Sequence, residues 1–183
     1  MSGPDLRTVL APDDGSLGPL LRVSDDRLMP GQSYGAHEHR SVDVVAVLLA
    51  GSLQHRWGGG AELTAGDVAV LRAGQGLVHD EAAGDDGARV LQCYLRPDDP
   101  AAPPEHEVHR GAAGWVDLRR PDARIWLSRG EPGVTVTPPA GLLLTAGEDT
   151  SVTRHDGGPV VLPAPATLVV WRLDTGRPAW ADD

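Results

Sequence analysis

The chain has 183 residues, room for one domain or two small packed halves, and sets 16 basic residues against 26 acidic ones for a formal net charge of −10. An acidic chain without a basic stripe is a poor match for phosphate backbones or anionic lipid, which argues against direct nucleic-acid or membrane-surface binding. Every basic residue is arginine, and the missing lysine excludes Schiff-base chemistry and a phosphate-loop lysine.

Cys93 is the single cysteine, so no intramolecular disulfide forms; it alternates into a strand and reads as a small buried hydrophobe. Residues 1–12 have neither the basic start nor the apolar stretch of a secretory leader, and the longest apolar run, residues 44–50, is far too short to span a bilayer. A soluble, cytoplasmic protein is expected. With no phenylalanine, the core must come from Val, Leu, Ala and Ile with five tryptophans, while 23 glycines and 16 prolines demand frequent turns.

In chain order, strands are expected at residues 42–49, 68–71 and 90–95. The glycine-rich stretches 58–60, 65–67, 73–76 and 84–87 read as turns between them. Residues 97–104 hold four prolines in eight positions and cannot lie inside a sheet, so residues 97–107 read as a linker between halves at 1–96 and 108–183. The cluster at residues 105–109, with His106 and His109, follows those prolines directly and reads as exposed chain. A weak helix is expected near 112–118, then strands at 124–127, 134–137 and 168–173, with His155 at a hairpin tip. Short strands and frequent turns point to an all-β barrel or sandwich.

Two short motifs carry the chemistry. His37-Glu38-His39 and His79-Asp80-Glu81 each place two donors at i and i+2, which share one face of a strand. Strands facing each other across a barrel would bring three imidazoles and one carboxylate together. That set suits Fe, Mn, Ni, Co or Cu(II), with Zn admissible and iron heading the expectation.

The glycines around these motifs bring the sequence to a known family. Residues 31–39, Gly-Gln-Ser-Tyr-Gly-Ala-His-Glu-His, resemble the first cupin motif, G-x5-H-x-H; Gly66-Asp67 and residues 73–79 resemble the second. More narrowly, residues 20–96 are similar to the pirin and quercetinase-like bicupins. Pro30-Gly31, His37-Glu38-His39-Arg40, Gly51-Ser52-Leu53-Gln54-His55 and Ala73-Gly74-Gln75-Gly76-Leu77-Val78-His79-Asp80-Glu81 carry that likeness. The resemblance implies a cupin β-barrel with one divalent transition metal on His37, His39, His79 and Glu81. The general cupin glutamate position is Asp43 here, so Asp43, like His55, is expected to support the site from behind the ligands. The second half looks like a reduced cupin without ligands of its own.

The resemblance also implies a metal-dependent dioxygenase acting with dioxygen on a flavonol-like or other enolisable phenolic, with Glu81 as catalytic base. A non-enzymatic, redox-sensing module docking a protein partner, or another cupin tailoring enzyme, are the alternatives.

Overall fold

The computed structural model describes residues 3–12 and 14–176; the outer ends of the expected halves, residues 1–2 and 177–183, lie outside the described residues. The chain is all-β, with no helix among the described residues. No helix is long and apolar enough to cross a membrane.

Among the described residues the chain falls into two units, one within residues 1–11 and 21–112 and the other within residues 12–20 and 113–183. In the first, β1 (Asp5–Leu10), β2 (Leu20–Leu28), β7 (Leu77–Leu95), β4 (Asp43–Arg56), β6 (Val68–Arg72) and β8 (Glu105–His109) form a sheet in that order. The short β3 (His37–His39) pairs with β7, and β5 (Ala61–Thr64) with β4. In the second, β13 (Thr150–His155), β12 (Gly141–Ala146), β15 (Ala166–Leu173), β10 (Ala123–Gly130) and β9 (Gly114–Val116) make a five-stranded sheet. The pair β11 (Thr135–Val136) and β14 (Val160–Val161) completes it.

Aliphatic alternation builds the first core. Ala46, Leu48, Leu53, Leu63, Ala69 and Val90 are packed in one buried cluster, and Cys93 is fully buried beside the same ladder. Three expectations change. Residues 84–87 are no inter-strand turn: they lie within β7, where the register against β4 slips between Gly51 and Leu53 and the strand bulges. The segment expected as a helix contains β9, whose Trp115 pairs across from Trp126. The proline-rich stretch leads into β8, which hydrogen-bonds along β6 from Val68 to Arg72, so residues 105–112 go with the first unit.

The bulge depends on a glycine. Gly51 has φ of 71°, and a Cβ there would sit 2.0 Å from the Gly87 carbonyl oxygen. Gly51→Ala combines left-handed strain with a backbone clash and should cost at least about 1–3 kcal/mol. A urea midpoint unchanged from wild type would refute that requirement.

Asp67 closes the turn between β5 and β6. Its carboxylate accepts from the Thr64 amide (2.9 Å), the Gly111 amide (2.9 Å) and Arg110 Nη1 (2.7 Å). Burial pushes Asp67 up, and these donors outweigh it, holding the carboxyl below the ordinary aspartate range. This closure stabilises the unit above the ordinary aspartate range and weakens as pH falls through the lowered value.

Candidate metal centre

β3 is only three residues long, and it meets the start of β7 with His37 opposite His79 and His39 opposite Leu77. The strands bearing the two motifs are therefore neighbours in one ladder, not opposite walls as expected from sequence. Directly opposed residues point to the same face, so His37, His39 and His79 converge. His37 Nε2 lies 3.0 Å from His39 Nε2 and 3.0 Å from His79 Nε2.

Those spacings fit a shared cation. His37 Nδ1 donates to the Gly35 carbonyl oxygen at 2.8 Å, and in the neutral ring that puts the lone pair on Nε2. One lone pair can take a single proton, so two facing nitrogens leave one contact unrelieved. Two nitrogens each about 2.1 Å from one ion and at right angles to it stand about 3.0 Å apart. The protonation states agree. Burial, with the neighbouring imidazoles adding to it against a counter-pull from Glu81, brings His79 down to about 4. Burial, then His37, lowers His39 as well. Neutral imidazoles are what a metal requires.

Glu81 stands beside this trio rather than in it. Its carboxylate groups with His55 and His79, while the three histidines form a separate group. Glu81 is 3% exposed; His55 Nε2 donates to Oε1 at 2.6 Å, and the Gln92 amide reaches both oxygens at 3.3 and 3.1 Å. Burial pushes this carboxyl up, but the His55 hydrogen bond and the adjacent imidazoles overcome it, and Glu81 ends below the usual range. It is a buried, ionised base held by two donors.

His55 is drawn in from β4, opposite Glu81 in the ladder, and its Nδ1 lies 2.8 Å from His106 Nε2 on β8. Burial, then His55, pushes His106 down to about 4, so His106 is neutral. Asp43 sits at the start of β4 opposite Arg72 and Leu95, buried, and belongs to neither donor group among the described residues.

Gln92 is not singled out by the sequence, and His106 is read there as part of an exposed cluster. Nothing in a lone glutamine within a strand announces a buried carboxylate partner. His106 did leave a signal. In Glu105-His106-Glu107-Val108-His109 the period-2 pattern puts His106 with Val108, which packs on the core, while Glu105 and Glu107 pair with Arg72. Reading that segment as strand rather than exposed chain would have found it. Removing His55 leaves Glu81 with Gln92 alone; His55→Ala should cost about 1–3 kcal/mol in chemical denaturation. An unshifted midpoint would show that the contact carries no stability.

A cavity of about 310 Å³ adjoins the trio, lined by Leu6, Thr8, Arg22, Ser24, Asp26, Tyr34, His37, His39 and Tyr94. It offers two histidines, two tyrosines and an arginine to a ligand. Arg22 lies 4.1 Å over the Tyr94 ring.

Known proteins resemble this chain in sequence and in fold. The family model named Pirin matches residues 12–95. An Escherichia coli quercetin 2,3-dioxygenase is 27% identical over 57% of this chain and 48% of its own length. A Zymomonas mobilis protein provisionally named a quercetin 2,3-dioxygenase is 34% identical over 47% of this chain and 38% of its own. The matches thus span less than half of these relatives. Among solved structures, a bacterial pirin from Escherichia coli in complex with nickel(II) superposes with a TM-score of 0.72 at 17% identity, over 95% of this chain and 93% of that one. A quercetin 2,3-dioxygenase from Acinetobacter baumannii gives 0.65 at 18%, over 96% and 83%. The fold is the cupin β-barrel fold.

Proposed function

We propose that this chain, whose residues 12–95 match the Pirin family model and whose fold is that of pirins and cupins, is a metal-dependent dioxygenase of quercetinase type. His37, His39, His79 and Glu81 hold one divalent transition ion in this reading, and the substrate is a flavonol-like or other enolisable phenolic. The observation that supports it most directly is the pair of 3.0 Å separations between Nε2 atoms beside a cavity large enough for a ring.

The bound ion supplies Lewis acidity toward a substrate hydroxyl, lowering its pKa. The chain's own residues do the rest. Tyr34 and Tyr94 flank the ring beside the imidazole trio. Glu81 turns from His55 toward His79 and accepts the hydroxyl proton on a carboxylate oxygen. His55 and Gln92 fix where that carboxylate starts, and His106 fixes His55. The deprotonated, electron-rich ring is then the species that meets dioxygen.

Elemental analysis of purified protein, followed by an oxygen-uptake screen with quercetin-type flavonols, tests both halves. About one ion per chain with flavonol-dependent oxygen uptake is expected. Protein without stoichiometric metal overturns the metal centre; loaded protein inert to every enolisable phenolic overturns the oxygenase.

A further inference from the structure

The residues next to the imidazole trio are more specific than a general aromatic slot. Tyr34 is fixed in place by its backbone: its amide donates to the Glu81 carbonyl oxygen at 3.0 Å, and Ser33 bridges to Ala82. The Tyr34 ring meets His37 edge-on, with centroids 6.3 Å apart. Its hydroxyl donates to Asp26 Oδ2 at 3.0 Å. Asp26 is 3% exposed, and its other oxygen has no hydrogen-bond partner among the described residues. The strand alternation of β2 puts Asp26 on the same face as Ser24 and Arg22, all three lining the cavity.

A tyrosine hydroxyl has one proton and two lone pairs. With its proton committed to Asp26 and one lone pair facing the Gln92 amide, Tyr34 offers the cavity its other lone pair as an acceptor. We infer that Tyr34 determines substrate choice: its hydroxyl oxygen accepts a hydrogen bond from a second hydroxyl, next to the substrate oxygen held at the His37–His39–His79 trio. The substrate class is then a compact ring carrying two neighbouring oxygens, at least one of them a free hydroxyl. The 310 Å³ volume lies near the small end of ligand cavities and is enough for the ring that carries these two oxygens. Arg22, over Tyr94, stands ready for negative charge as the diol loses a proton. This inference rests on the metal-centre reading for the identity of the first oxygen.

Three probes separate the roles: catechol, phenol, and 2-methoxyphenol, which keeps the second oxygen but lacks its proton. Their affinities are measured by anaerobic calorimetry on nickel(II)-loaded protein. Catechol should bind about tenfold more tightly than either of the others, the worth of one hydrogen bond. In Tyr34→Phe the three affinities should fall within roughly twofold of one another, with nickel content unchanged. Because that change strips Asp26 of its partner, Tyr34→Phe/Asp26→Asn is run beside it, and both are checked by thermal melting. Catechol selectivity surviving in a folded variant overturns the inference. So does 2-methoxyphenol binding as tightly as catechol, which would make Tyr34 a donor, and so does no binding of any probe. Nickel uptake is read first and separately. Its failure overturns the metal centre, and the three-probe ratio is then read on metal-free protein, where the same criteria decide the role of Tyr34.

Discussion

Alanine at both His37 and His39 is expected to take bound metal from about one ion per chain to nearly none after dialysis. The two changes remove both donors that β3 contributes and leave His79 with the Glu81 carboxylate. Partners that merely orient a ligand are worth about 10–100-fold in metal affinity. Losing two direct donors therefore costs at least about 10²–10⁴-fold when compounded. The fold should survive, because His37 and His39 are only half-buried and β3 contributes three residues to the sheet. Metal content by mass spectrometry, alongside a melting curve, separates loss of the site from loss of the protein. Full metal retention in a folded double variant would place the ion elsewhere.

Glu81→Gln should do the reverse, sparing metal and removing turnover. Three imidazoles still hold a divalent ion when one carboxylate is lost. Glutamine keeps the length of the side chain; its carbonyl oxygen can still accept from His55, and its amide can donate to Gln92 Oε1 once that side chain turns over. What disappears is a group able to take a proton. Loss of a general base costs about 10²–10⁴-fold in rate, so flavonol-dependent oxygen uptake should fall by at least about two orders of magnitude. Measuring metal and oxygen uptake on one preparation decides it: unchanged turnover at full loading would remove Glu81 from the chemistry.

Much of this centre was legible in the sequence, because the period of a strand is two. His37 with His39, and His79 with Glu81, had to share faces, and the glycines at 31, 66, 74 and 76 marked the turns that present them. What could not be read was which strand lies beside which. Pairing joins residues far apart in the chain, so the meeting of His37 with His79, and of His55 with Glu81, had no local sign. The same limit hid Gln92 and His106, whose roles exist only because β7 and β8 bring them to a carboxylate and an imidazole. The glycines at 84 and 87 misled for a different reason. Glycine marks turns and bulges alike, and here the bulge let one strand run on from Leu77 to Leu95. The expected helix failed because Gly114 and the two facing tryptophans favour extended chain.

The pairing of His37 with His79 sets the scale of the site. Residues opposite each other on adjacent strands keep their Cβ atoms about 4.5–5.5 Å apart in any sheet. The gap between these two donors is thus a property of hydrogen-bonded neighbours, and the girth of the barrel does not enter it. Strands elsewhere can lengthen or shorten without changing the Cβ spacing from which these two imidazoles start. Changes to the distant walls would reshape what the cavity admits while the backbone spacing of the paired imidazoles stays fixed.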